Sequence, residues 1–257
     1  VPTDQTSAST PPAAHGPGCS ICERPLDFDF SMAFQPIVDV SEGTVFAYEA
    51  LVRGPGGEGA RWVLDKVTSA NRYAFDQSCR TKAIELAHRL GMPGTLSINF
   101  LPNAVYQPET CLSATLAAAD RVGFPLSRII FEVTESEEAD SAKVAEIIAA
   151  YRARGFRTAI DDFGAGYSGL NRVVELRPDL IKLDIALIRG IDADAYRRAM
   201  VASVVAFCRE AGVTLVAEGI ETPEEHRTLK DLGIVLQQGY LFARPGFETL
   251  PVPAAVA

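Results

Sequence analysis

Seven short apolar runs in this chain each close on a side chain that can bind a cation, carry a proton or donate a hydrogen bond. TVFAYE closes on Glu49, SIN on Asn99, IIFE on Glu132, TAIDD on the pair Asp161 and Asp162, LIK on Lys182, LVAE on Glu218 and LQQ on Gln238. Adjacent aspartates directly behind an apolar run repel each other, and in an apolar surrounding one of them would take up a proton. They must stand in water or share a strong positive charge. If the run ends converge, five carboxylates around one amine are tolerable only with bound cations. A donor set made of oxygens suits Mg2+, Mn2+ or Ca2+ and disfavours a structural zinc. Adjacent aspartates let one carboxylate bridge two ions ~3.5–4 Å apart while its neighbour holds the second, the arrangement used for in-line attack on a phosphate. Taken singly, each acid also fits a solvated loop or a helix cap, and Lys182 also fits as the counter-ion of Asp179 or Asp184. In an acidic cup its use is to orient an attacking water or to balance the transition state.

A barrel would bring the run ends together. At 257 residues the chain matches the ~250 typical of one (β/α)8 barrel, whose catalytic groups project from the C-terminal ends of its strands. From residue 28 onward, short β-branched runs alternate with longer amphipathic stretches, as βα units around a parallel sheet do. Five strands follow a helix that stops at glycine, the residue favoured at a left-handed helix cap: RLG before TLSINF, RVG before RIIFEV, ARG before RTAIDD, EAG before TLVAEG and DLG before VLQQGY. Helices are expected over FDQSCRTKAIELAHRL, ETCLSATLAAADRV, DSAKVAEIIAAYRAR, DADAYRRAMVASVVAFCREA and PEEHRTLKDL, each with apolar residues three or four apart. The first run, MAFQPIVDV, meets TVFAYEALV across SEG as a tight hairpin, so the wall begins antiparallel. The expected fold is α/β, a modified TIM (β/α)8 barrel with an antiparallel first strand; an open doubly wound sheet shares the same alternation.

Residues 1–27 are polar and rich in Pro and Ala and read as a linker, with 28–257 as one domain. They lack the basic-then-apolar pattern of a signal peptide. Five cysteines, an odd number, favour reduced thiols and a cytoplasmic setting. Cys79, Cys111 and Cys208 fall in helical patterns as small buried hydrophobes. Cys19 and Cys22, with His15 nearby, could form half of a zinc site or a redox pair, but no second cysteine pair exists to complete one, and the stretch reads as a surface lead-in. His88 and His226 sit in helical patterns without ligand spacing, and RGPGGEG reads as a loop that no P-loop lysine follows. A formal charge of −9 argues against a nucleic acid polymer as partner. No apolar stretch approaches the ~20 residues of a membrane span.

In order along the chain, YEALVRG, SINFLP, FEVTES, AIDDFGAGYSGL, LIKLD, VAEGIET and QGYLFARP resemble the EAL-domain phosphodiesterases, which linearise the bacterial second messenger cyclic di-GMP to pGpG. The resemblance runs from Phe34 to Pro245. It implies metal ligands at Glu49, Asn99, Glu132, Asp161, Asp162 and Glu218, and a lysine contacting the catalytic water at Lys182, with Glu49, Asp161, Lys182 and Glu218 as the catalytic set. It further implies an active-site glutamine at Gln238, and a nucleotide groove lined by Gln35, Leu51, Arg53, Arg244 and Pro245. Glu135 matches the residue that braces the mobile FGAGYSGL loop, which in the family links the metal site to a homodimer contact. As a plain reading of residues, that loop is an ordinary βα connection whose glycines satisfy turn geometry, and Arg53 is equally an ion-pair partner at the surface. Ala165 and Gly169 depart from the Thr and Ser common in the family. The implied cofactors are two Mg2+ or Mn2+, with Ca2+ binding but not supporting turnover. A non-hydrolysing cyclic di-GMP receptor acting through a protein partner is the rival reading.

Overall fold

The computed structural model describes residues 25–105, 107–134, 141–166 and 169–254. The expectations for His15, Cys19, Cys22 and Glu135 lie outside these residues. Strands β1 (Ser31–Asp39) and β2 (Thr44–Arg53) form the antiparallel hairpin, turning at Gly43 with φ 65° and setting Gln35 opposite Glu49. From β2 the sheet continues parallel through β3 (Thr95–Asn99), β4 (Ile129–Thr134), β5 (Arg157–Phe163), β6 (Leu180–Leu183), β7 (Thr214–Ala217) and β8 (Leu236–Gln237). β8 pairs antiparallel with the far end of β1, and this closes the barrel and excludes the open doubly wound sheet. A last short strand, β9 (Gly246–Phe247), adds to the early part of β1.

The helices alternate with these strands: α1 (Ala60–Leu64), α2 (Arg72–Arg89), α3 (Pro108–Val122), α4 (Ser141–Ala153), α5 (Gly169–Leu176), α6 (Ile185–Ile188), α7 (Ala195–Ala211) and α8 (Pro223–Asp231). The five helices expected from periodicity are present, and the five glycines behind them all take positive φ; Gly123 and Gly212 are left-handed caps of α3 and α7. Three helices were not foreseen, α1, α5 and α6; the four or five residues of α6 and α1 are too few to show a period. The end of FGAGYSGL, read as a loop, opens α5 at Gly169. Cys79, Cys111 and Cys208 are buried free thiols. His88 is exposed, while buried His226 places Nδ1 2.8 Å from Gln237 Oε1. Among the described residues no helix is long and apolar enough to cross a membrane.

Two apolar layers position the site. Between sheet and helices, Leu96, Ile98, Phe131, Ile160 and Leu183 pack against Ile84, Leu112, Ile147, Val201 and Leu229. Inside the barrel, Ile37, Ala47, Ile130, Ala159, Leu180, Val216 and Leu236 form a plug. Side chains on one face of a strand recur every second residue. Two residues beyond each plug member, on the same inner face, stand Glu49, Glu132, Asp161, Lys182, Glu218 and Gln238; on the reversed β1 the same step backward from Ile37 reaches Gln35. The apolar floor and the polar mouth are thus consecutive rows of one side-chain lattice.

The wall is drawn tight at Gly239, where a Cβ would lie 2.0 Å from the Ile220 oxygen. That approach, with the Ile220 N–H donating to the Gln238 carbonyl at 3.1 Å, ties the end of β8 to the loop behind Glu218. Gly239→Ala should therefore force the two segments apart and cost about 1–3 kcal/mol, read as a lower midpoint in urea unfolding; an unchanged midpoint would show that the contact is slack.

Candidate active site

Lys182 stands at the centre of the mouth with 1% of its surface exposed. Its Nζ lies 2.6 Å from Glu218 Oε1, 2.9 Å from Glu132 Oε2, 3.0 Å from Asp161 Oδ1 and 3.3 Å from Glu49 Oε2. The residues read as its alternative partners are engaged elsewhere: Asp179 accepts from Arg152 and from Thr158, and Asp184 caps α6 by accepting the Ala186 N–H at 2.7 Å. Around the acids, the Asn99 carboxamide donates to Glu49 Oε1 at 3.1 Å and that of Gln238 to Glu49 Oε2 at 3.0 Å. The Ser97 hydroxyl donates to Glu132 Oε1.

A regular strand would send Asp161 and Asp162 to opposite faces. Here the pairing of β5 with β6 shifts register between Ile160 and Phe163, and Asp162 takes φ 54°. This left-handed kink is tolerated by aspartate better than by bulkier residues, and it turns the second carboxylate back toward the first. The result is two groups of acids sharing Asp161: Glu49, Glu132 and Asp161, and Asp161, Asp162 and Glu218. Within each group one oxygen per residue lies within 4.8 Å of the others.

The charges do not balance. Four carboxylates touch an ammonium that has three protons to give, and Glu218 Oε1, though close to it, lies outside the hydrogen-bonding direction of any donor among the described residues. Burial raises the Glu132 carboxyl to about 8, with Lys182 opposing and Glu49 and Asp161 adding to the rise. Burial, then the adjacent Asp161, lifts Asp162 to about 6. Glu218 is pushed well above the usual carboxylate range by burial and by Asp161. Burial works against the Lys182 ammonium, but Asp161, Glu132, Glu218 and Glu49 together hold its pKa well above the ordinary lysine value. Clustered oxygen donors with excess negative charge and an unsatisfied buried oxygen fit a hard divalent cation.

A cleft of about 360 Å3 opens above the acids, walled by Gln35, Glu49, Leu51, Asp161, Asp162, Glu218 and Gln238. Gln35 is fixed by donating to the Ala243 carbonyl at 3.1 Å. Arg53, Arg244 and Pro245 do not form part of this wall. The Arg53 guanidinium donates to the Val52 carbonyl, and that of Arg244 stacks 4.2 Å from the centre of the Tyr240 ring. Asp184, Glu221 and Tyr240 also line the cleft. They were missed along with Ser97, although Ser97 and Asp184 each stand two residues from a site residue on the chain.

Residues 25–245 match the family model described as the EAL domain. This chain belongs to the EAL domain family. The EAL domain here is 31% identical to the blue light- and temperature-regulated antirepressor BluF of Escherichia coli, over 85% of this chain and 55% of that protein. It is 36% identical to the cyclic di-GMP phosphodiesterase RocR of Pseudomonas aeruginosa, over 66% of this chain and 43% of that protein. The chain thus spans about half the length of these curated relatives. Among solved structures, a standalone EAL protein of Vibrio cholerae in its c-di-GMP bound form is 48% identical, with TM-score 0.87 over 90% of this chain and 98% of that one. BlrP1 of Klebsiella pneumoniae, solved with calcium and cyclic di-GMP, is 36% identical, with TM-score 0.83 over 87% of this chain and 57% of that one; it has also been solved with manganese.

The raised carboxyls of this EAL domain give its stability a sign with pH. Folded Glu132 and Asp162 hold protons that the unfolded chain, at 4.5 and 3.8, releases earlier. Their contribution is therefore complete below the unfolded values and is lost as pH rises through about 6 and then about 8. Calorimetry in EDTA should show the unfolding temperature falling across that window. With Mn2+, which needs ionised carboxylates, the stabilisation should grow over the same window. A metal-free unfolding temperature that stays flat from pH 5 to pH 8.5 would contradict the assignment.

Proposed function

We propose that this domain is a metal-dependent phosphodiesterase that hydrolyses cyclic di-GMP to linear pGpG in bacterial second-messenger signalling. The observation that carries the reading is the meeting of Glu49, Glu132, Asp161 and Glu218 on one buried ammonium, with Asn99, Asp162 and Gln238 beside them. The similarity to RocR and to cyclic di-GMP-bound EAL structures supports it.

Five carboxylates and one ammonium carry a formal charge of −4, which two divalent ions would neutralise, and the two acid groups sharing Asp161 offer two places for Mg2+ or Mn2+. Glu49, Asn99, Glu132 and Asp161 would hold one ion, and Asp161, Asp162 and Glu218 the other. Bound there, the ions supply Lewis acidity that polarises the phosphodiester and activates water for in-line attack. The protein's own part is preorganisation. Asn99 and Gln238 fix both oxygens of Glu49, Ser97 fixes Glu132, and Lys182 spaces the acids; with bound ions taking over part of the carboxylate charge, one of its N–H groups would be free to orient the attacking water. Gln35 and Leu51 shape the groove; Arg53, Arg244 and Pro245 at its margin receive the nucleotide, where a guanidinium can take a phosphate with its planar fork.

We assign the domain to a homodimer in the cytoplasm. Leu170 and Val174 on α5, and Tyr196, Met200 and Phe207 on α7, are exposed large apolar side chains, and Val174 and Phe207 border one cleft. Exposed apolar side chains on α5 and α7 suit contact with a second copy of the chain, while three buried free thiols suit the cytoplasm.

Incubation with cyclic di-GMP and Mg2+ or Mn2+ should yield pGpG by chromatography, with little product in Ca2+, which is less strict in geometry. No product with either metal would favour the receptor reading, for which the antirepressor BluF offers a precedent in name. Glu49→Ala should abolish turnover by loss of metal. Lys182→Ala should lower kcat by about 10²–10³-fold with little change in KM; wild-type kcat would remove Lys182 from the mechanism. Val174→Glu should shift sedimentation from dimer to monomer, and a dimer that persists would place the interface elsewhere.

A further inference from the structure

Behind the site lies a buried ion pair that the reaction does not touch. Asp76 and Arg80, one turn apart on α2, are 2% and 0% exposed, with Asp76 Oδ2 2.6 Å from Arg80 Nη2. Arg80 Nη1 also donates to the Tyr151 hydroxyl at 3.2 Å. A buried pair of this kind is no gain in stability over well-packed apolar residues of the same size, so its retention needs another reason. Asp76 supplies one: its Oδ1 accepts the main-chain N–H of Leu101 at 2.9 Å. Leu101 stands two residues beyond Asn99, whose carboxamide holds Glu49. An apolar space of about 260 Å3, lined by Leu51, Asn99, Phe100 and Leu101 with Asp76 itself, lies against this segment. The chain there has room to move, and the Asp76 carboxylate pins it.

The same network reaches the neighbouring strand. The Tyr151 ring packs 4.8 Å from Phe131 and 5.4 Å from Phe100, and the Phe100 N–H donates to the Glu132 carbonyl at 3.0 Å. Arg80 and Tyr151 thus back the residues next to both Asn99 and Glu132.

We propose that Asp76, oriented by Arg80 and Tyr151, is a positioning residue for the metal site: it clamps the main chain at Leu101 so that the Asn99 carboxamide stays in register with Glu49 and Glu132. The proposal rests on the reading of these three as ligands. It separates the hydrogen bond from the charge, and so does its test. Asp76→Leu with Arg80→Met removes the acceptor while keeping the interior apolar. Asp76→Asn with Arg80→Met keeps an acceptor for Leu101 and removes the ion pair.

Mn2+ affinity is measured by isothermal titration calorimetry without substrate, alongside thermal unfolding. Loss of an outer partner of a metal ligand weakens binding by about 10–100-fold; that loss is expected for the leucine variant, with recovery close to wild type in the asparagine variant. A folded leucine variant with wild-type affinity, or equal losses in both, would overturn the proposal. If wild type itself binds no Mn2+, the metal reading fails first, a different result from wild-type binding that the variants leave untouched. Should neither variant fold, hydrogen exchange of the wild-type Leu101 amide decides: slow exchange that persists when Asn99→Ala removes the ligand supports the clamp, and exchange as fast as an open loop overturns it.

Discussion

One ammonium among four carboxylates is the constraint from which the mouth of this barrel follows. Lys182 cannot satisfy all of its neighbours, and it does not cancel their charge. The acids are held apart at distances set by the lysine, in a surrounding that makes ionisation costly for Glu132, Asp162 and Glu218. A mouth built this way has unmet demand for positive charge, and that demand is what suits it to the divalent ions of the proposed function. The apolar plug beneath increases the demand by keeping water out from below.

Ordinary strand geometry delivers most of the ring. The two-residue repeat carries each inner chain from plug to mouth, so a strand that packs its floor correctly also aims its acid correctly. The exception is β5, which must present two neighbouring aspartates on one side and does so through a register shift and a left-handed residue. Backbone conformations of this sort are expected where function over-rules local preference. Asp162 is the residue whose placement owes least to the repeat.

Legibility in the sequence follows the same division. Strand ends, helix stops at glycine and the opening hairpin depend on a few consecutive residues, so Glu49, Asn99, Glu132, Glu218 and the barrel order could be read directly. The partners of Lys182 could not be read from its neighbours, since Asp179 and Asp184 lie close in sequence yet serve a strand start and a helix cap, while the true partners come from β2, β4, β5 and the residue just past β7. Ser97 does not close its run, and its place two residues before Asn99, on the same face of β3, is the signal that marks it. Asp76 and Arg80 look like the solvent face of a helix until α2 is seen to turn them inward. The margin of the groove was the least legible part: Arg53 and Arg244 turn to the Val52 carbonyl and the Tyr240 ring, and no local pattern specifies those side-chain directions.

The reversed direction of β1 has a consequence for access. In a barrel of eight parallel strands the polypeptide arrives at the floor and first meets the catalytic face on its way out. Here Ser31 pairs with Arg53 and Gln35 with Glu49, so the backbone arrives at the catalytic face and runs down to the floor before turning. The described lead-in just ahead of Ser31 lies along α2, with Asp29 on Lys82 and Phe28 and Phe30 on Phe75, so this wall is entered from the end opposite to that of an all-parallel barrel.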